Sequence, residues 1–304
     1  MSKDYLSGVI DIGSNTIRLN LYRPTKNADG VKTVVSKKTF AGLASYLIDG
    51  KMTQAGIQKA SKTLKKFKRI LDDLEIDEYY AFATAAIRNA SNVREILEKI
   101  ENESGIRVEL VSGEEEGYFS YLGLCLDLGP FDEGYVIDIG GGSTEVTLVR
   151  KGEYISTSSI PEGSLSLHRA FVKDLIPTIE EFRLIKSYVV ELLERYPLPL
   201  AASNKAFGVG GTIRAVGNLA QEINNKESNS ETTLAEVEDL SLRFLTHDSA
   251  SLKTILKVTP ERVHTQLPGM IILQEVMKTL ACSTMTISSN GVREGYLFNK
   301  QKED

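Results

Sequence analysis

The sequence predicts an α/β protein built from two similar domains, and three observations carry that expectation. Val9-Ile10-Asp11-Ile12-Gly13-Ser14-Asn15-Thr16-Ile17-Arg18-Leu19 recurs 127 positions later, without gaps, as Val136-Ile137-Asp138-Ile139-Gly140-Gly141-Gly142-Ser143-Thr144-Glu145-Val146. Segments of strand-like alternation and of helical spacing follow one another along the chain, the pattern of helices covering a mixed sheet. A length of 304 residues suits two domains of about 150 residues each.

Each copy of the repeat reads as an apolar strand ending in aspartate, a Gly/Ser/Thr turn and a second alternating strand, which is a hairpin with a polar tip. A third strand over Val31–Phe40 extends the first sheet. Residues 53–74 have helical spacing, with Ile57, Leu64, Phe67, Ile70, Leu71 and Leu74 on one face, lysines opposite and Thr53 as N-cap. A strand over 78–85, a helix over 92–102, a strand over 108–112 and a helix over 114–126 follow, the last with Tyr118, Tyr121 and Leu122 turned inward. Residues 128–134, with Gly129, Pro130 and Gly134, are the expected linker and hinge, which ends the first domain near residue 127. In the second half the spacing predicts a strand over 156–160, a helix over Ile179–Arg195 and a strand over 206–210 that feeds a glycine turn into a helix over 213–218. A polar loop over 220–233 and helices over Leu234–Leu245 and 268–283 complete it, with Pro268 at the last helix start.

Hydrophobic content of 41% and charged content of 25% are those of a soluble globular protein rather than a collagenous or disordered one. Net charge of −5 and a pI near 5.5 leave no global basic field for nucleic acid. A polyanion would need local donors; Lys62, Lys65, Lys66, Lys68 and Arg69 form either such a strip or a solvated helix face. Cys125 and Cys282 are too few for a disulfide framework or a zinc site and read as packed thiols. Residues 1–8 lack a signal-peptide apolar region, and no apolar run is long enough to span a bilayer. A cytoplasmic protein that binds neither nucleic acid nor membrane is expected.

Glycine at the two tips lets backbone N–H groups face a phosphate, Ser and Thr add hydroxyls, and a strand-end carboxylate can hold Mg²⁺ beside them. An ordinary hairpin explains one copy as well; two copies in register point to domains that face each other across a phosphate-binding cleft. Gly208-Val209-Gly210-Gly211-Thr212-Ile213-Arg214 is a third glycine cluster, either an anion site at a helix N-terminus or close strand–helix packing. Glu114, Glu115 and Glu116 stand in a first helical turn, where the helix dipole favours acids without excluding a catalytic role for one. Arg88 follows a buried-looking strand, where a guanidinium can grip a phosphoryl group or form a surface ion pair. His168, His247 and His264 are scattered away from the tips and read as structural. Hydrolysis of a phosphoanhydride would then need a carboxylate to orient water.

As an ordered set, Asp11 to Leu19, Ala83-Thr84 to Arg88-Asn89-Ala90, Ser112-Gly113-x-Glu115-Glu116, Val136 to Glu145, Gly208 to Thr212, Leu267-Pro268-Gly269-Met270 and Arg293-Glu294-Gly295 resemble the exopolyphosphatase / guanosine pentaphosphate phosphohydrolase (Ppx/GppA) family nearly end to end. The resemblance implies two ribonuclease-H-like domains of the actin, Hsp70 and sugar kinase superfamily with the active site in the interdomain cleft. Domain one would span 1–127, rejoined by 291–304, and domain two 128–290. It also implies hydrolysis, dependent on Mg²⁺ or another divalent cation, that releases terminal phosphate from polyphosphate or converts guanosine pentaphosphate to tetraphosphate, the chemistry of the stringent response. On the family pattern Glu116 is the general base, Arg88 binds phosphate, and Asp138 and Glu145 serve the metal and water sites. Asp11 with Gly13, Ser14, Asn15 and Thr16, and Gly140, Gly141, Gly142, Ser143 and Thr144, form two phosphate loops. Asp11, Asp138 and Glu145 are the candidate metal ligands, and Arg18, Gly208, Gly210, Gly211, Thr212 and Arg262 join the candidate phosphate-binding set.

Two departures qualify the resemblance. The chain ends before the helical C-terminal domain of longer members, so processivity on long polyphosphate is expected to be weak. Gly117 stands where the family commonly has alanine, which is expected to loosen the first helical turn by about 1 kcal/mol and soften the placement of Glu116. A phosphotransferase of the same superfamily and a non-catalytic sensor of guanosine tetra- or pentaphosphate are the alternatives. Domain closure around substrate and a homodimer are the default expectations.

Overall fold

The structure is a computed structural model that describes residues 6–25, 30–246 and 249–303; His247 lies outside the described residues. The chain forms two compact units, one running through Ser112 and taking back the C-terminal residues from Tyr296, the other spanning Gly113–Gly295.

In the first unit β1 (Ser7–Ile12) and β2 (Thr16–Pro24) make the expected hairpin, with Asp11 opposite Arg18 and Ile12 opposite Ile17. β3 (Val31–Phe40) adds antiparallel to β2. A short ribbon, β4 (Leu47–Ile48) and β5 (Lys51–Met52), leads to α1 (Gln54–Asp73), whose cap Thr53 accepts a hydrogen bond from the Gly56 amide at 3.3 Å. Ile57, Leu64, Phe67 and Leu71 of α1 are buried as their spacing predicts, whereas Leu74 is exposed. β6 (Tyr79–Ala83), the single turn α2 (Ala85–Arg88), α3 (Val93–Ser104) and β7 (Glu109–Leu110) follow. The sheet order is β3-β2-β1-β6-β7, with β6 parallel to β1 and β7 parallel to β6. The returning C-terminal residues seal this unit: the Tyr296 ring lies 4.6 Å from that of Phe82, and its hydroxyl donates to Glu109 Oε2 at 2.8 Å.

The second unit opens with α4 (Gly113–Leu128) and the hairpin β8 (Glu133–Ile139) and β9 (Thr144–Arg150), continued by β10 (Glu153–Ile160). Then come α5 (Ser164–Phe171), α6 (Ile179–Arg195), β11 (Ala206–Val209), α7 (Gly210–Asn224), β12 (Glu231–Thr233), α8 (Leu234–Leu245) and α9 (Ser249–Val258). α10 (Val263–Thr279), β13 (Thr284–Ile287) and α11 (Val292–Glu303) close the chain. The sheet order is β10-β9-β8-β11-β13-β12. Without the antiparallel edge strand β12, order and strand directions repeat those of the first unit. This is the ribonuclease-H-like arrangement in duplicate. The repeat reaches the turn hydrogen bonds: Gly13 N donates to Thr16 O at 3.0 Å, and Gly140 N to Ser143 O at 2.9 Å.

Several expectations change. The contacts divide the chain between Ser112 and Gly113 rather than near residue 127, because α4 packs on β9 and β10. Residues 129–132 therefore join two elements of one unit, and the expected hinge is a loop inside it. α7 begins at Gly210, so the glycines are its first turn, and it runs to Asn224 with β12 beyond, where a polar loop was expected. Pro268 lies inside α10 rather than at its start. Almost every residue from Val263 to Met277 is buried, and that burial outweighs the backbone bond that proline removes.

The buried face of α4 also differs. Tyr118, Tyr121 and Leu122 are half-buried, while Glu116, Gly117, Phe119, Ser120, Gly123 and Leu124 are buried. The helix lies too close to its neighbours for larger side chains. A Cβ on Gly113 would sit 2.2 Å from Ser159 Oγ, one on Gly117 2.4 Å from Thr157, and one on Gly123 2.1 Å from the Gly291 carbonyl. Gly117 is thus a packing requirement of the second unit, not a loosened turn. Gly117→Ala gains about 1 kcal/mol of helix propensity but incurs roughly 1–3 kcal/mol of overpacking. Urea denaturation is expected to show net destabilisation; stabilisation would contradict this packing.

Candidate functional site

β8 and β9 place Asp138 directly opposite Glu145, so both side chains leave the same face of the hairpin. Ser120 Oγ donates to Asp138 Oδ2 at 3.1 Å, and Ser159 Oγ to Glu145 Oε1 at 2.8 Å. Glu116 stands on α4 between Gly113 and Ser120. One turn before it, Gly113 has its Cβ direction 3.7 Å from Glu145 Oε1; one turn after it, Ser120 holds Asp138. Glu116, Asp138 and Glu145 are 7%, 7% and 1% exposed. Burying carboxylates costs solvation free energy, which makes these residues candidates for a functional site.

Among the described residues no group of three or more His, Cys, Asp or Glu side chains is arranged to hold a metal ion. Of the expected ligands, Asp138 and Glu145 are brought together, while Asp11 belongs to the first unit's hairpin and faces Arg18. The duplicated cross-strand position thus carries an acid–base pair in one unit and an acid–acid pair in the other. Mg²⁺ is commonly held by one or two carboxylates together with substrate phosphates, and the Asp138–Glu145 pair offers that donor set.

The turn above this pair is tethered from one side. Ser164 N donates to Gly140 O at 3.0 Å, and Leu165 N and Ser166 N donate to Gly141 O at 2.9 and 3.0 Å. The carbonyl and the following N–H of a trans peptide point in opposite directions. The amides of Gly141 and Gly142 therefore point away from α5, as an anion site requires. Gly163 permits this contact, because a Cβ there would lie 2.6 Å from Gly140 O. The first unit works similarly: Ala44 N donates to Ser14 O at 3.0 Å, and Ala41 N and Gly42 N donate to Asn15 O at 3.1 and 2.9 Å. The Asn15 amide is thereby turned away from the segment that holds Ser14.

The third glycine cluster borders the acid pair. Gly210 has φ +82°, and a Cβ there would lie 2.2 Å from Asp138 Oδ1. Gly211 gives room to the Arg262 guanidinium, whose Nη1 donates to Thr212 Oγ1 at 3.3 Å. Gly208 instead serves packing, against Ile213 and Met285.

Arg88 and Arg214 are equivalent in the two units. Arg88 ends α2, after β6, and its Nη1 donates to Val111 O at 3.0 Å, just beyond β7. Arg214 lies in α7, after β11, and its Nη1 donates to Ser289 O at 3.1 Å, just beyond β13. Burial, then the neighbouring Arg293 and Arg262, lower the Arg214 pKa to about 10, against the opposing pull of Glu294 and Asp138. It stays cationic at neutral pH. Arg214, Ser120 and Ser159 are not among the residues that the sequence motifs single out as site candidates. Arg214 had a signal, since it follows its glycine turn much as Arg88 follows Thr84. The segments after the two strands are also related: Ser112-Gly113-Glu114-Glu115-Glu116-Gly117 answers Asn290-Gly291-Val292-Arg293-Glu294-Gly295. Glu294 Oε2 accepts from Gly291 N at 2.9 Å.

Away from this site, His168 and His264 pack edge to face with ring centroids 5.3 Å apart, and burial lowers both pKa values. Cys125 and Cys282 are free thiols. No helix among the described residues is long and apolar enough to cross a membrane.

With the duplicated fold and the acid pair in place, comparison with known proteins gives the family. Residues 25–304 match the Ppx/GppA phosphatase family, and the chain belongs to it. A guanosine-5'-triphosphate,3'-diphosphate pyrophosphatase of Photobacterium profundum is 27% identical over 299 residues, which are 96% of this chain and 59% of that protein. The chain thus spans 59% of that relative's length. The Aquifex aeolicus member of the Ppx/GppA family superposes with a TM-score of 0.80 at 25% identity over 98% of each chain. An exopolyphosphatase from Cytophaga hutchinsonii shares the fold, with a TM-score of 0.82 at 22% identity over 98% of each chain.

Gly210→Ala would strain a left-handed residue and displace Asp138. In an assay of the phosphate release proposed below, kcat/KM of a variant whose circular dichroism is unchanged is expected to fall about 10²-fold, the scale of a misplaced group at a reacting centre; an unaltered value would separate Asp138 from that activity. The half-buried histidines give a pH effect. Below the ordinary imidazole value of 6.5 the unfolded chain binds protons that the folded chain refuses, so stability falls as pH drops into that window. Urea melts of His264→Gln at neutral and mildly acidic pH are expected to show a smaller acid loss than the unaltered protein; an equal loss would exclude the pair as its source.

Proposed function

We propose that this protein hydrolyses terminal phosphoanhydride bonds, releasing orthophosphate from inorganic polyphosphate or from guanosine pentaphosphate. The observation that carries this reading is the buried Asp138–Glu145 pair, with Glu116 one helical turn from Ser120, which donates to Asp138, and from Gly113, whose Cβ direction faces Glu145. The turn amides of Gly141 and Gly142 and the first turn of α7 bind oxygens of the terminal phosphates. Gly13 to Thr16, Arg18 and Arg88 of the first unit bind substrate phosphates as well. Asp138 and Glu145 are the proposed ligands of Mg²⁺ or another divalent cation, which when bound supplies positive charge beside those phosphates.

Glu116 accepts a proton from a water molecule as the water oxygen bonds to the terminal phosphorus. The bond from that phosphorus to the bridging oxygen breaks, and the bridging oxygen leaves with the electron pair on the shortened chain. Arginine and turn N–H groups offset the charge that gathers there. No covalent intermediate is needed, because the patch holds carboxylates and hydroxyls already engaged by them rather than an activated nucleophile.

The family supports this class of chemistry; the names of its relatives divide between the two substrates. Tripolyphosphate, long-chain polyphosphate and guanosine pentaphosphate, assayed in parallel with and without chelator, are expected to separate them, with phosphate released from at least one and release lost on chelation. Glu116→Gln should lower turnover about 10²-fold or more on whichever substrate is used, since general base catalysis commonly contributes that much. An undiminished rate in that variant would remove Glu116 from the mechanism.

A further inference from the structure

We propose that the exposed face of α1 is a second polyanion site, which holds phosphates of a long polyphosphate chain remote from the bond being cleaved. Lys59, Lys62, Lys65, Lys66 and Arg69 are all exposed, and from Gln54 to Leu71 the helix contains no acidic residue. None of these five cations has a hydrogen-bond or ion-pair partner among the described residues. Lys68, beside them, is different: it pairs with Asp72 and lies 5.5 Å from the centre of the Tyr79 ring.

A solvated face is the ordinary explanation of surface lysines, and two features of α1 argue against it. Other helices of this protein pair their surface cations in the stabilising i,i+4 pattern, as Arg94 with Glu98, Lys99 with Glu95 and Arg243 with Asp239. On α1 the same spacing sets Lys62 against Lys66 and Lys65 against Arg69, an arrangement that destabilises a helix. Nor is the run a response to the helix dipole, since the last turn, where cations are favoured, carries Asp72 and Asp73.

The charge is regional. The first unit holds 20 Lys and Arg against 16 Asp and Glu, and the second 16 against 25, so a net −5 chain contains a basic unit of +4. Such asymmetry between halves is a signature of polyanion binding.

Shape and position name the occupant. From Lys59 to Arg69 the row extends about 15 Å at the helical rise, a linear array suited to a linear chain of charges rather than a compact nucleotide. No exposed residue of α1 is aromatic, so the face lacks the stacking surface that single-stranded RNA uses. The helix also starts beside the candidate phosphate turn of its own unit. Thr53 N donates to Tyr46 O at 2.9 Å, Gly56 packs against the Tyr46 side chain, and the same short segment supplies the Ala44 amide that holds Ser14 O.

The activity readout rests on the proposed hydrolysis; the binding readout does not. The test is the variant Lys62→Ala/Lys65→Ala/Lys66→Ala/Arg69→Ala. Alanine is the strongest helix former and the change removes like-charge neighbours, so the thermal midpoint is expected to hold or rise. At low salt KM for long-chain polyphosphate is expected to increase on the order of tenfold, with kcat for long chains and both constants for tripolyphosphate unaltered. Anisotropy of labelled long-chain polyphosphate with divalent cations chelated should show the same weakening and a flatter salt dependence. An unchanged long-chain KM and affinity, or equal losses on long and short substrates, would overturn the proposal, as would displacement by single-stranded RNA as effective as by polyphosphate. If the unaltered protein releases phosphate from none of these, the proposed function fails, and the anisotropy alone decides this site.

Discussion

The structure of the second unit depends on how closely α4 approaches β9 and β10. Gly113 and Gly117 leave no room for a Cβ against Ser159, Thr157 and Thr147, and this contact sets the helix at the height where Ser120 reaches Asp138. Glu116 lies between them on the same helix and is buried. The geometry is therefore held by close-packed atoms, which give little when strained. The other side of α4 is fixed in the same manner, since Gly123 meets the Gly291 carbonyl and Gly295 meets the Phe119 carbonyl. A helix gripped on both sides can hold a carboxylate in an unfavourable, desolvated position that an exposed helix would relax away from.

Duplication gives the two units one plan on which different charges are placed. The two hairpins share sheet position, turn hydrogen bond and a tip tethered by neighbouring amides. Each is followed by an arginine whose guanidinium is anchored on the carbonyl beyond the fifth strand. The copies differ in where charge is placed. Opposite the turn aspartate stands Arg18 in one unit and Glu145 in the other. After the fifth strand stands Glu115-Glu116 in one copy and Arg293-Glu294 in the other. The two differences run in opposite directions: the basic residue stands in the first copy at the hairpin and in the second copy after the fifth strand.

Much of the fold was legible in the sequence because the chain marks it locally. The hairpins follow from an ungapped repeat that preserves the turn bond, and the expected bounds of α6 and α8 are the observed ones; in the structure capping boxes hold their starts, Thr178 with Glu181 and Thr233 with Glu236. What was not legible was set by packing. Hydropathy turned Tyr118 and Tyr121 inward on α4, but glycine has no side chain for such a pattern to count, and the small-residue face won. Pro268 read as a helix start because a lost backbone bond is visible in sequence and the burial that compensates it is not. For the site, the acid pair and the glycine turns followed from the repeat. Ser120, Ser159 and Arg214 did not, because each acts through a strand or helix distant in sequence. The altered domain boundary has the same origin: α4 is contiguous with the first unit in sequence and packs with the second.

The central claim is that water, readied by Glu116, attacks the terminal phosphorus. Single-turnover reaction in H₂¹⁸O tests this most directly. One solvent oxygen should appear in each released orthophosphate and none in the shortened chain. Label found in the shortened chain, or phosphate passed unlabelled to another acceptor, would contradict it.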